Sequence, residues 1–531
     1  MSSVFTATLH PGVALGFLVL GASLHDILTR LKAEPQRFPK LDLVYSPTQP
    51  VTEPVVLTLP ANGIRLRFDG SEQRLRLIEV VDFTKNRITY GHPEKDIVKP
   101  PAGPGQGVAS PKLGGESTAG PGFRTIYHRL MGPTYAGEYI PPSDDSKNAV
   151  GTYVLSYPGV AFSFPLPESA YSPDKDVVSL LSSSASQTAT SMAVFNGKSW
   201  AEARETLWTD ILPSVKSTFL FNKSKDVVPD EISLVKIHGG GRLQLFKKWT
   251  SASVWITLGE TTPQELVAEL GPPDAIYRKN DQRMYIHKTR TASNSRSRSN
   301  GPDYKRPDDL TDTDQSSAHT ESENSDDEAI EDEFVGNVSR ECFYNYFYLG
   351  FDILISPPVA PSPPPPSQQA ATNGDAIPGD KNIRADNPDR LVASKVVLHA
   401  NVPGSYPFNR HRRCRWEIGY LSSPSPPDQQ PVASSETQFN DLEERLREAW
   451  KSTFPADFDA NKRQRGMVLN RGWGDSPGSS CELLGGWEDS SGGMAAKKFD
   501  GGDESTTTLY GFPGLVFEVL KNGFVSAVTV F

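Results

Sequence analysis

The chain has 531 residues, enough for two to four domains, but only 37% of it is apolar and it holds 45 Pro and 43 Gly, which predicts folded parts diluted by long loops. Its net charge of −10 argues against a general nucleic-acid binder, because phosphate affinity needs clustered Lys and Arg. Three widely spaced cysteines, Cys342, Cys414 and Cys481, can form neither a disulfide framework nor a CxxC metal site, so a reducing, cytoplasmic setting is expected.

Taken in order, Val13 to Leu20 is the most apolar stretch near the start, but it is far below the roughly 20 residues of a membrane span and reads as a strand. A soluble chain is expected, with membrane contact only peripheral or through a partner. Residues 1–91 form a first unit. Ser23 caps a helix with Asp26 at its third position, and Leu24, Ile27, Leu28 and Leu31 recur at helical spacing. LDLVYS (41–46), VVLTL (55–59), GIRLRF (63–68) and LRLIEV (75–80) then alternate as strands, with Asp69 and Gly70 favouring a tight hairpin.

A Pro/Gly-rich loop is expected at 92–122. The second unit, 123–200, has a helix-like FRTIYHRLM (123–131), then TYVLS (152–156), GVAFSF (159–164) and MAVF (192–195). A connecting helix and hairpin fill 201–253, the hairpin being EISLVKIHGGGRLQLF (231–246).

The third unit spans 254–418 and carries the clearest helix start in the chain. Thr262, Pro263 and Glu265 make a capping box, Leu266, Val267 and Leu270 lie on one face, and Gly271 with Pro272 and Pro273 ends the helix. RMYIH (283–287), FYNYFYLGFDILI (343–355) and SKVVLHANV (394–402) follow as strands. Insertions at 289–336 and 356–390 are too polar or Pro-rich to bury much surface and are expected to be disordered. After a linker at 419–439, the fourth unit (440–531) opens with Asn440 as cap and Glu443 at the third position, with Leu442, Leu446, Ala449 and Trp450 on one face. A loop at 472–508 leads to GLVFEV (514–519) and FVSAVTV (524–530), paired across Asn522 and Gly523.

GIRLRF, GVAFSF, GFDILI and GLVFEV line up as a repeat: Gly, then apolar residues at alternate positions. The fold class that follows is α+β, in repeated units of a short helix plus a small antiparallel β-sheet, with long disordered loop insertions.

HGGG (238–241) and GDSPG (474–478) together suggest an α/β-hydrolase. Pro477 removes the N–H that would serve the oxyanion, His411 is the last histidine so the order Ser, acid, His cannot be completed, and neither motif sits in a strand-turn-helix context. His399, His411 and Cys414 are close in sequence, but strand alternation would put them on differing faces, so neither a metal nor a cofactor is expected. Arg410, Arg412, Arg413 and Arg415, with His411 among them and Trp416 beside them, form a candidate contact for an anionic lipid or an acidic partner; the competing reading is a charged strand edge that blocks sheet pairing. Ser322 and Ser325, among acidic residues, are candidate phosphorylation sites.

LDLVYSP, NGIRLRFD with RLRLIEVVDFTK, GPTYAGEY with PGVAFSF, LGETTPQELVAELGPPDAIY, YNYFYLGFDIL, VVLHANVPGSYPFN with RHRRC, and FPGLVFEVLKNGFVSAVTV resemble, in this order, the phagosome assembly factor family of eukaryotes. The resemblance implies a non-enzymatic adaptor or regulator of autophagy. It implies a WD-repeat β-propeller partner that recognises phosphoinositides, and recruitment to the phagophore assembly site. The alternative is a scaffold in vesicle trafficking; a hydrolase-like enzyme comes third.

Overall fold

The computed structural model describes residues 5–91, 95–98, 120–134, 137–142, 150–182, 187–212, 230–278, 341–358, 390–421, 433–451, 466–470 and 506–531. Three short antiparallel strands open the chain: β1 (Phe5–His10), β2 (Ala14–Leu15) and β3 (Leu18–Val19). Val13 to Leu20, expected as a single strand, is therefore split, because Gly16 at φ 60° turns the chain between β2 and β3. Helix α1 (Leu24–Ala33) starts at Ser23, whose side chain accepts from the Asp26 N–H, and buries Leu24, Ile27, Leu28 and Leu31.

A four-stranded meander follows: β4 (Asp42–Val44), β5 (Val55–Leu59), β6 (Ile64–Phe68) and β7 (Leu75–Val80). The turn into β7 is not a two-residue hairpin; it runs from Asp69 to Arg74, and Gln73, not Gly70, takes the positive φ. Strand β8 (Asn86–Tyr90) returns to pair parallel with β1, and β9 (Lys95–Val98) extends that sheet, so the stretch expected as loop contains a strand.

The second meander is preceded by a single α turn, α2 (Phe123–Thr125), which widens to π geometry over Ile126–Leu130 instead of continuing as the expected helix. It comprises β10 (Glu138–Ile140), β11 (Val150–Tyr157), β12 (Val160–Pro167) and β13 (Ser191–Phe195), with α3 (Val177–Leu181) before β13 and α4 (Trp200–Thr206) after it.

The chain then repeats this plan. β14 (Ile232–Gly239), β15 (Arg242–Lys247) and β16 (Ser253–Thr257) form an antiparallel set. Next come α5 (Pro263–Leu270) and a meander of β17 (Ala275–Arg278), β18 (Cys342–Tyr346), β19 (Phe351–Ser356) and β20 (Val392–His399). β21 (Trp416–Ile418) pairs parallel with β14, as β8 does with β1. Helix α6 (Phe439–Ala449) and a last meander of β22 (Met467–Asn470), β23 (Thr506–Phe512), β24 (Leu515–Val519) and β25 (Val525–Val530) complete the chain. The RMYIH segment lies outside the described residues, and AIYR provides the first strand of the third meander.

Two sheets of eight strands result, ordered β10-β11-β12-β13-β7-β6-β5-β4 and β17-β18-β19-β20-β25-β24-β23-β22. In each, two meanders join antiparallel through their fourth strands, with Val80 opposite Met192 in one and Ala527 opposite His399 in the other. The four units thus pair within shared sheets. Correspondence between the halves reaches single hydrogen bonds: Gly21 (φ 86°) donates to the Leu75 carbonyl and Gly259 (φ 81°) to the Ala393 carbonyl, each just before a capped helix.

The repeated Gly-led strands have one structural cause. Gly63, Gly159, Gly350 and Gly514 all have positive φ (58°, 78°, 88° and 74°) and each sits in the turn between the second and third strands of its meander. Alternation after that turn puts apolar residues inward, as in the buried Ile64, Leu66 and Phe68 of β6 and the buried Leu515, Phe517 and Val519 of β24.

The helices differ from expectation in detail. In α5 the capping box is present, but Val267 is 40% exposed and Leu266 carries the burial. Helix α6 starts earlier than Asn440, at Gln438, with no side-chain cap; buried Phe439, packed against Phe517 and Tyr510, fixes its first turn. Each half has its own core, and among the described residues no helix is long and apolar enough to cross a membrane.

Candidate functional site

The segment between β20 and β21, residues 400–415, straps the second half to the first. Asn401 (φ 48°), Gly404 (φ 82°) and Asn409 (φ 61°) turn it, and Phe408 is delivered into the core of the first half. Burying that ring is worth about 1.5–3 kcal/mol. Ala400 and Val402 join Val51 of the first half and Leu520 and Phe524 in a small apolar cluster. Positive φ is what favours glycine at 404; a Cβ there would also lie 2.2 Å from Tyr45 Oη and would push that ring aside.

Around this strap lies an ionic network. Arg412 reaches Asp26 of α1 with Nη2 and Glu231, just before β14, with Nη1 at 3.2 Å. Arg74 Nη1 contacts the other oxygen of Glu231 at 2.8 Å. Arg413 donates to the Ser71 carbonyl (2.6 Å) and the Ala400 carbonyl (2.7 Å), and lies 3.4 Å from Glu436. Arg415 donates to the same Glu436 oxygen at 2.9 Å and lies 3.6 Å from Glu72, which also pairs with Lys248. Both halves contribute charges of both signs.

Burial would raise these carboxyls, but the cations win. Arg412 holds Asp26 well below the usual carboxylate range. Lys248 first, then Arg74 and Arg415, lower Glu72, and Arg413 with Arg415 lowers Glu436. Burial pushes the nearby Cys414 thiol up to about 12, so it stays protonated and unreactive at neutral pH. Chemically the network clamps two halves together; its charges are consumed by one another.

Beside the strap, His399 and His411 stack face to face, with ring centroids 3.8 Å apart and planes 13° apart. His399 Nε2 lies 2.8 Å from one oxygen of Asp352, His411 Nε2 lies 2.9 Å from the other, and Asn345 Nδ2 donates to that second oxygen at 2.8 Å. The expectation that alternation separates these histidines is corrected: His411 sits on the strap, which folds back over the end of β20, and the third partner is Asp352. Three ligand-type atoms gather within 4.8 Å, but parallel rings send their lone pairs side by side instead of toward one point. The geometry fits a carboxylate held by hydrogen bonds better than a metal centre.

Burial drives His411 down to about 4, so it is neutral at physiological pH; its Nδ1 has no hydrogen-bond partner, and a proton there would be buried without an acceptor. Burial would raise Asp352, but the His399 charge and the hydrogen bonds from both rings hold it well below the usual carboxylate range.

The basic run singled out in the sequence is therefore not a surface patch. Arg412 and Arg413 are 8% and 5% exposed, Trp416 is fully buried, and Arg415 is half-buried in ion pairs. Arg410 is half-buried with its guanidinium 5.9 Å from the Tyr406 ring. Neither a lipid contact through Arg412 and Arg413 nor a solvated edge matches this placement, because carboxylates from distant parts of the chain cover them. Ser322, Ser325 and the GDSPG motif lie outside the described residues, while in HGGG His238 and Gly239 end β14 and Gly240 and Gly241 turn into β15. Asp26, Glu72, Glu231 and Glu436 were missed as partners, since nothing local links positions so far apart.

The sequence profile of the Phagosome assembly factor 1 family matches residues 14–304 and 387–531. A PHAF1 protein of Arabidopsis thaliana is 23% identical over 529 residues, covering 98% of this chain and 92% of the relative. One from Drosophila melanogaster is 22% identical over 538 residues, covering 98% and 93%. A Caenorhabditis elegans PHAF1 protein is 27% identical over 147 residues, 28% of each chain. No solved structure matches. With a profile match that spans both halves and the strap between them, the chain belongs to the Phagosome assembly factor 1 family.

Proposed function

We propose that the chain is a non-enzymatic adaptor or regulator of autophagy that acts in phagosome assembly. In this reading it works in the cytoplasm and is recruited to the phagophore assembly site in complex with a WD-repeat β-propeller protein that recognises phosphoinositides. The observation that carries the reading is family membership over most of the chain. Two features of the fold support it. Four meanders merge into two wide sheets, a platform with several edges for partners, and a cluster of buried charges is spent on joining the halves. Contact with membranes through the partner, and not through the strap arginines, agrees with their burial.

The test is affinity purification of the tagged chain from nutrient-replete and starved cells with quantification of what accompanies it. A WD-repeat propeller in near-equal amount is the expected result. Coat or tether proteins in its place would move the function to vesicle trafficking.

A further inference from the structure

Among the described residues, strand β16 is the end strand of its sheet, paired on one side only, with β15. The bonds Lys247 N–H to Ala252 carbonyl and Leu258 N–H to Gly241 carbonyl fix the alternation, so Val254 and Ile256 face β15 while Ser253 and Trp255 turn their backbone groups outward. Thr257 also points outward, but its N–H is taken by Thr261 Oγ1 at 2.9 Å, which closes that end of the ladder.

Between this open edge and helix α5 runs a groove of about 340 Å³, floored by Leu266 and bordered by Trp255, Glu265 and Glu269. Trp255 is 50% exposed, with its ring packed on His238 at 4.9 Å between centroids. Glu265 is held below the usual carboxylate range by the Thr262 backbone N–H and hydroxyl and by nearby Arg390, so it is charged at neutral pH but partly satisfied, and Glu269 is the freer charge of the wall. Edge donors and acceptors, an apolar floor and two carboxylates on the opposite wall meet in one place.

We infer that the β16–α5 groove docks an extended basic segment of a partner protein by strand addition. The segment's main chain pairs with Ser253 and Trp255, an apolar side chain rests on Leu266, and a Lys or Arg faces Glu269 with Glu265 beside it. Charge complementarity selects this occupant over an acidic one, and the unpaired ladder selects an extended chain over a helix. The inference goes beyond the adaptor reading and does not depend on the WD-repeat partner.

The test uses the full chain and three capped, dye-labelled ten-residue peptides in fluorescence polarisation: alternating valine and lysine, the same with glutamate for lysine, and the valine–lysine peptide N-methylated at alternate backbone nitrogens. Expected are saturable binding of the first and at least tenfold weaker binding of the other two. The N-methylated peptide keeps the charge, so it separates strand pairing from general attraction to an acidic protein. Glu269→Lys is expected to abolish the preference for lysine over glutamate; an unchanged urea midpoint shows that the variant is folded. Equal binding of the lysine and glutamate peptides, no effect of N-methylation, no binding of any peptide, or a preference that survives in folded Glu269→Lys overturns the inference.

Discussion

Gln73 and Asn401, 328 residues apart, exchange two hydrogen bonds of 2.8 Å while both hold left-handed backbone conformations, φ 54° and 48°. Gln73 Nε2 donates to the Asn401 carbonyl, and Asn401 Nδ2 donates to Gln73 Oε1. Asn401 Oδ1 also accepts the Asn409 N–H at 2.6 Å. Such conformations cost on the order of 1–3 kcal/mol each without glycine and persist only where the surroundings over-determine them. Asn401→Ala keeps the unfavourable φ and strands two buried partners. A loss of about 2–4 kcal/mol in urea unfolding is expected. A loss below ~1 kcal/mol would show that the pair does not hold the junction.

Arg412→Met leaves Asp26 in the junction without its cation and Glu231 with Arg74 alone. Removing one partner of a buried pair costs about 3–5 kcal/mol, so the variant should unfold at clearly lower urea. Glu444→Gln, at an exposed position on α6, should shift stability by only about 0.5 kcal/mol. Similar losses in the two variants would contradict the placement of Arg412. A recruitment defect caused by charge reversal at Arg412 or Arg413 would carry a folding defect with it, which circular dichroism reads directly.

Acid should loosen the molecule in a particular window. His411 binds its proton less readily folded (about 4) than at its ordinary value of 6.5, so the unfolded chain takes up more protons between these values. Stability is therefore fully present above about pH 6.5 and is lost as pH falls toward 4, by up to about 3 kcal/mol. Asp352, with its lowered carboxyl, extends the loss below the ordinary aspartate range. Urea midpoints measured from pH 7 to 4 should fall in wild type and fall less steeply in His411→Gln. Equal slopes would show that another group sets the acid response.

Equivalent glycines should not tolerate alanine equally. A Cβ on Gly159 would meet the Gly12 nitrogen at 2.0 Å, whereas on Gly514 the nearest atom is 3.5 Å away. Gly514→Ala faces only the strain of positive φ, about 1–2 kcal/mol. Gly159→Ala must also move backbone, and a further loss of at least ~2 kcal/mol is expected in the same urea assay. Equal losses would mean that β1 and the β11–β12 turn separate freely.

How much of this was legible in the sequence depended on how local each signal was. The capping box at Thr262 and the alternation of GIRLRF or GLVFEV involve neighbours in the chain, and the elements stand where those signals put them. Short β9, β10 and β22 escaped because three or four residues carry no period to read, and β2 and β3 were read as one strand. FRTIYHRLM has helical spacing but lacks a side-chain cap, and it leaves α geometry after one turn. The repeat of Gly-led strands was visible, but not that the fourth strands fuse the meanders in pairs, since that pairing joins residues as distant as Val80 and Met192. The basic run was conspicuous for the same reason that it misled: Arg412 and Arg413 are charged in any sequence, and only the fold reveals that Asp26, Glu231 and Glu436 cover them.

The correspondence of the two halves makes this chain the covalent counterpart of a two-subunit complex. Each half completes its own sheets and core, yet parts of their shared boundary are dense with paired charge. Severed between Leu212 and Asp230, the pieces would present to water ionised groups that now neutralise one another, and their reunion would weaken as salt screens that attraction. The peptide link keeps the two at high effective concentration whatever the ionic strength, so the charged part of the boundary need not hold them together unaided.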